Sequence, residues 1–150
     1  HRLTDGKLNG GLPPMLVDSV EAAGLNSGLM MPQYTAASLV LENQTLATPD
    51  SVHSLPTSGE QEDHNANATT AARHTCDILQ NLRHILAVEL YTSARAIDLR
   101  MRAMPGSKLG EGTGRVFKEI REAVPYQAGD ALWGREISKL ADLLKDGRLV

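Results

Sequence analysis

One polar run concentrates more chemistry than any other part of the chain: Thr57-Ser58-Gly59-Glu60-Gln61-Glu62-Asp63-His64-Asn65. From Glu60 onward, five successive side chains can donate, accept or titrate. The run lies between a proline-bounded loop, Thr48 to Ser58, and a long helical pattern. Two readings are open. Thr57 and Glu60 fit a capping box, which makes the run a solvated helix start. Alternatively, its side chains point into a pocket at a helix N-terminus, where the dipole favours anionic groups.

The other chemically suggestive residues fare less well. His74 and His84 are ten apart and share a helix face, but three turns separate them by about 15 Å, too far for one ion. Only Glu62 with His64, or His53 from the loop, could meet, so no metal site is expected. Gly110-Glu111-Gly112-Thr113-Gly114 resembles a phosphate loop only in its glycines, because no strand precedes it and no Gly-Lys-Ser/Thr ends it; it reads as a helix connection. Cys76 falls inside a helical stretch and is expected to be packed rather than reactive.

The elements that position these residues are helices. From Asn67 to Arg102 no proline or glycine intervenes. Leu79, Leu82, Leu86, Leu90, Ala94, Ile97 and Met101 follow one another at spacings of three and four, and Ile78, Ile85, Val88 and Tyr91 widen the stripe. One helix of that length spans about 54 Å at about 1.5 Å per residue, against a diameter of roughly 38 Å for a compact chain of this size. A stripe on such a rod needs a partner, which predicts an oligomeric bundle. Met104-Pro105-Gly106 stops it.

Three shorter helices are expected. Pro32 to Leu46 carries Met30, Tyr34, Ala37 and Leu41 on one face, with Asn26 or Ser27 as cap. Lys108 to Val124 places Val116, Ile120 and Val124 inside. Asp130 to Leu144 has Asp130 as N-cap, with Leu132, Trp133, Ile137, Leu140 and Leu144 inside and Gly147 past its end. Residues 1–25 read as loop, with Met15, Leu16 and Val17 docked on a core. Nothing alternates as a strand, so the fold class is all-α.

Composition excludes other classes. The 150 residues are 41% hydrophobic and 3% aromatic, with net charge −3. One cysteine rules out a disulfide scaffold. No apolar run approaches the ~18 residues of a membrane span. A mildly acidic chain does not attract nucleic acid. Residues 1–66 hold two bases and eight acids, and residues 67–150 hold thirteen bases and ten acids, so the halves have opposite sign and can pack on each other or on copies. No signal peptide is visible, and a single thiol fits a cytoplasmic, reducing location. Asn43-Gln44-Thr45 and Asn67-Ala68-Thr69 match glycosylation acceptors by chance on that reading. The chain begins at His1 rather than Met, so residues upstream are expected.

Five blocks together resemble the C-terminal part of the aromatic amino acid ammonia-lyases, nearest to their histidine branch. They are Gly11-Leu12-Pro13-Pro14-Met15-Leu16-Val17; Gly24-Leu25-Asn26-Ser27-Gly28-Leu29-Met30; Glu42-Asn43; Ser51 to Ser58 with Gln61-Glu62-Asp63-His64; and Leu86-Ala87-Val88-Glu89 with Ala96-Ile97-Asp98-Leu99-Arg100. Their order and spacing agree over nearly the whole chain. The resemblance implies a homotetramer built around a bundle of long helices, of the fumarase/aspartase-like type. It also implies a 4-methylidene-imidazol-5-one (MIO) electrophile formed from an internal Ala-Ser-Gly, and a Tyr base on an N-terminal loop. The products implied are ammonia and an α,β-unsaturated acid, urocanate when histidine is the substrate.

Residues 1–150 contain no Ala-Ser-Gly. Thr57-Ser58-Gly59 is not a substitute, because by the resemblance it belongs to the Pro-Thr-Ser block downstream of the cyclising triad. The MIO-bearing N-terminal part is therefore expected outside this chain, which alone should be inactive. It would be a fragment, a cleavage product or one chain of a split enzyme. By the same resemblance, Gln61 and Glu62 line the active site and bind substrate, with Glu62 the catalytic residue facing the imidazole and the developing ammonium. A carboxylate there can accept a charge-assisted hydrogen bond from a ring N–H, and is left unpaired by a phenyl ring. Phenylalanine and tyrosine lyases usually carry Asn-Gln at this pair. Two departures stand out: Leu29 where many relatives have Phe, and Asn65-Ala66-Asn67 in place of Val-Ser-Met. The alternatives are a phenylalanine/tyrosine lyase or aminomutase segment, or a helical oligomerisation fragment without chemistry.

Overall fold

A computed structural model describes residues 1–149. Four helices dominate: α1 (Met30–Leu46), α2 (Ala68–Ala103), α3 (Glu111–Ala123) and α4 (Trp133–Lys145). Short 3-10 turns occupy Pro14–Leu16 and Asp50–His53. Among the described residues extended pairing is limited to two isolated bridges, Ala23 with Asn26 and Thr57 with Glu62. No described helix is long and apolar enough to cross a membrane.

The 36 residues of α2 form the axis, and α1, α3 and α4 all pack on it. The core lies along its C-terminal half. Ala87, Val88, Tyr91, Ala94 and Leu99 meet Leu16 and Leu29 from the N-terminal segment, Ile120 from α3, and Trp133, Ile137 and Leu140 from α4. Tyr91 and Trp133 pack as a tilted aromatic pair with centroids 5.6 Å apart. The second apolar row found in the sequence is thus the inward one at Val88 and Tyr91. The first row stays open at its N-terminal end, where Leu79 and Leu82 are 47% and 42% exposed.

Several expectations need correction. The face of α1 defined by Tyr34 and Leu41 points outward, at 67% and 63% exposure. The face turned to α2 instead carries Pro32, Ala36, Leu39, Asn43 and Leu46. Because α1 is apolar on both sides, periodicity could not choose between them. Neither Asn26 nor Ser27 caps it; Leu29 occupies the N-cap with no side-chain bond. Asp130 does not cap α4 either. Its carboxylate accepts the backbone N–H groups of Ser27 and Gly28, both at 2.8 Å, and Leu132 takes the cap position. Leu132 is exposed rather than buried. Gly112 and Gly114 lie inside α3, with Gly110 at its N-cap, so only part of the glycine-rich stretch is connection. Cys76 is exposed, not packed. Gly147 does follow α4 with φ +70°, and the N–H of Arg148 reaches back to Leu143 O at 3.0 Å.

One glycine is required by close approach. Gly28 sits at φ +56°, and a Cβ there would lie 2.4 Å from Met15 O and 2.9 Å from Val17 Cγ1. This lets the strap 15–17 cross directly over the entry to α1, where Leu29 N–H donates to Met15 O at 2.9 Å.

Candidate functional site

The polar run is not a helix start. Thr57 and Glu60 form no capping box, because α2 begins eleven residues after Thr57, at Ala68. The chain instead turns back on itself. Glu62 N–H donates to Thr57 O at 3.3 Å and Thr57 N–H donates to Glu62 O at 2.9 Å. Between them Ser58, Gly59 and Glu60 take φ values of +54°, +64° and +69°. For Ser and Glu a left-handed backbone costs about 1–2 kcal/mol each, so neighbouring bonds must hold the turn.

Two sets of bonds do so. Asn65 donates its backbone N–H to Ser54 Oγ at 2.7 Å, and its side-chain Nδ2 to Leu55 O at 3.0 Å and Thr57 Oγ1 at 3.2 Å. Lower down, Asn67 Nδ2 donates to Asp50 O at 2.9 Å. The His74 Nδ1, on the first turns of α2, lies 3.1 Å from Asp50 Oδ2. The loop is therefore tied both to itself and to the long helix.

Gln61 and Glu62 sit at its tip, both exposed. Neither side chain has a hydrogen-bond or ion-pair partner among the described residues. The structure brings this pair together on one turn. His53 and His64 are also exposed on the loop. Among the described residues no group of three or more His, Cys, Asp or Glu side chains could hold a metal ion.

A second polar cluster lies at the opposite, buried end of α2, and sequence reasoning missed it. Arg95 is 1% exposed. Its Nε donates to Leu16 O at 2.6 Å and its Nη1 to Gln127 O at 2.7 Å, while Nη2 lies 3.6 Å from Asp18 Oδ1. The guanidinium stands over the rings of Tyr126 and Trp133, at 5.1 Å and 5.5 Å. Asp18 also accepts from the Tyr126 hydroxyl and the Gly129 N–H. Burial pushes the Asp18 carboxyl up, but those two hydrogen bonds with Arg95 and Arg102 outweigh it and hold the carboxyl below its ordinary value. Burial, then the bond to Asp18, pushes the Tyr126 hydroxyl up. Arg95 Nε and Nη1 donate to main-chain carbonyls of the chain itself, and Nη2 is buried with only the ion-pair contact to Asp18, so this cluster fastens the N-terminal strap and the 125–130 segment to α2. The available signal was an arginine among small residues, Ala94-Arg95-Ala96, on the face that carries Tyr91 and Leu99.

An open groove of about 730 Å³ runs between α1 and α4, lined by Met31, Pro32, His84, Trp133 and Ile137 among others. Gln61 and Glu62 do not line it.

Known proteins resemble this chain in sequence and in fold. Residues 1–122 match the family described as aromatic amino acid lyase. A histidine ammonia-lyase of Treponema denticola is 45% identical over 146 residues, which is 97% of this chain and 27% of that protein. Among solved structures, histidine ammonia-lyase from Trypanosoma cruzi superposes with a TM-score of 0.87 at 32% identity, over 99% of this chain and 28% of that one. Tyrosine aminomutase from Streptomyces globisporus gives 0.86 at 32% identity, over 99% and 27%. The chain thus spans little more than a quarter of the length of the relatives it matches.

Proposed function

This chain belongs to the aromatic amino acid lyase family, and from that premise we propose that it is one segment of a larger enzyme that eliminates ammonia from L-histidine to give urocanate. In that reaction a proton leaves Cβ, its electron pair forms the Cα–Cβ double bond, and the Cα–N bond breaks to release ammonia. The observation that carries the reading is the Gln61–Glu62 pair, exposed on a pinned turn and unused within the chain. A Glu62 carboxylate facing substrate accepts the imidazole N–H and offsets positive charge on the departing ammonium. Gln61 beside it can donate and accept, which orients the substrate.

The MIO electrophile of this family activates the substrate amine as a leaving group. The residues here do not fit its formation, because the 150 residues contain no Ala-Ser-Gly and Thr57-Ser58-Gly59 is engaged in the left-handed turn. The group enters no step assigned to this chain. Its source is the N-terminal remainder of the enzyme, together with the base.

The exposed stripe at Leu79, Leu82 and Leu86, with the outward apolar face of α1, supports a homo-oligomer, a tetramer in this reading. A reducing, cytoplasmic setting suits an exposed unpaired thiol at Cys76. A second reading is favoured by the equally good superposition on a tyrosine aminomutase. Product analysis of the complete protein with L-histidine, L-phenylalanine and L-tyrosine separates the two. Urocanate from histidine, with at least about 100-fold lower kcat/KM on the phenyl substrates, is the expected result. A β-amino acid product, or a preference for a phenyl ring, would overturn the histidine reading.

A further inference from the structure

We propose that Asn65 is a positioning residue whose side-chain amide sets the direction of Glu62 toward substrate. The inference rests on the reading of Glu62 as the substrate-facing carboxylate. Asn65 closes the loop from Ser54 to Asn65 on its own start, through Ser54 Oγ, Leu55 O and Thr57 Oγ1. Thr57 is also the residue that pairs with Glu62 through both backbone bonds of the bridge. The Asn65 amide therefore holds one side of the bridge and Glu62 forms the other. Between them stand Ser58 and Glu60, two non-glycine residues in left-handed backbone. Neither would stay there unaided, because the ordinary right-handed and extended regions are lower in energy for both. Loss of the amide bonds frees Thr57 Oγ1 and Leu55 O, lets the two residues relax, and re-aims the Glu62 Cα–Cβ vector. The Asp50–His74 contact and the Asn67 bond anchor the base of the loop, so the effect stays local to its tip.

The test uses the complete enzyme. Asn65→Leu keeps roughly the shape and the neutrality of the side chain and removes its donors, and Asn65→Ala removes the shape as well. Both variants should lower kcat on histidine on the order of 10- to 100-fold, with KM changed less than about threefold, because misdirection of a group near the reacting atoms is felt mainly in the transition state. Hydrogen exchange at the Glu62 amide, which the bridge protects, should accelerate in both, with the assembly intact. A role in filling space alone would leave Asn65→Leu at wild-type kcat and exchange, and that result overturns the proposal. Glu62→Gln separates this failure from failure of the functional reading. If Glu62→Gln is fully active, the reading of Glu62 falls, and the positioning proposal falls with it. If Glu62→Gln is impaired while both Asn65 variants turn over at the wild-type rate, only the positioning role is overturned.

Discussion

The two halves of α2 have different fates. From Ala87 to Leu99 the helix is enclosed: eight of its residues are buried, Arg95 among them. From Ala68 to Leu86 none is buried, and leucines at the same helical spacing face outward. Both halves carry the same kind of stripe, so the difference does not lie in α2 itself. It lies in what the rest of the chain brings to it. The strap 15–17, α3 and α4 all converge on the C-terminal half, while the N-terminal half receives α1 on one side and the 50–65 loop at its end. One half is completed by this chain. The other still has apolar surface and a pair of unpaired polar side chains on offer.

The largest effect should come from the closed half. Arg95→Met leaves Asp18 without its buried cation and two carbonyls without donors, and should lower stability by about 3–5 kcal/mol in chemical denaturation. A loss under about 1 kcal/mol would mean that the cluster is not what closes this half.

A pH effect of intermediate size belongs to the same cluster. The Asp18 carboxyl is held below its ordinary value of 3.8 in the folded chain. A depressed carboxylate stabilises the fold above its unfolded pKa, and that contribution is lost as the pH falls through the lower, folded value. The denaturation midpoint should therefore decline from about pH 4 downward, and Asp18→Asn should be weaker at neutral pH with a flatter acid limb. An equally steep acid limb in Asp18→Asn would assign the acid sensitivity to other carboxylates.

The smallest folding effect should come from the open half. Leu82→Ser replaces a side chain already 42% exposed, and should change the stability of this segment by no more than about 0.5 kcal/mol. It should nonetheless weaken self-association, read by sedimentation of the complete protein as a shift toward smaller species. An unchanged assembly would remove the stripe from the interface and weaken the contrast between the halves.

The sequence announced the rods better than their surroundings. An uninterrupted run without Pro or Gly predicts Asn67 to Arg102, and α2 occupies Ala68–Ala103. The stops at Pro105, Pro125 and Gly147 were likewise local signals, and local signals survive folding. Orientation was not local. Tyr34 and Leu41 outline a valid helical face, but α1 has apolar residues all round, and only docking on α2 decides which face turns inward. Asp130 is an acceptable N-cap by type, yet Ser27 and Gly28 compete for its oxygens across more than a hundred residues of chain. Asp18 meets Tyr126 over a similar separation and Arg95 over 77 residues, with no periodicity to reveal either contact. At the proposed site, Gln61 and Glu62 were suggested by the resemblance alone. Their support was not, because Asn65 reads in sequence as one more loop amide, and its partners become visible only when the turn closes.

The most direct test of the central claim is turnover of L-histidine by the complete protein carrying Glu62→Ala, followed through urocanate absorbance, with the size of the assembly measured alongside. A substrate-facing carboxylate predicts a loss of kcat/KM of about 100-fold or more in a particle of unchanged size and thermal midpoint. Wild-type turnover by that variant would contradict the claim, and would leave this chain as a helical scaffold whose polar loop takes no part in the chemistry.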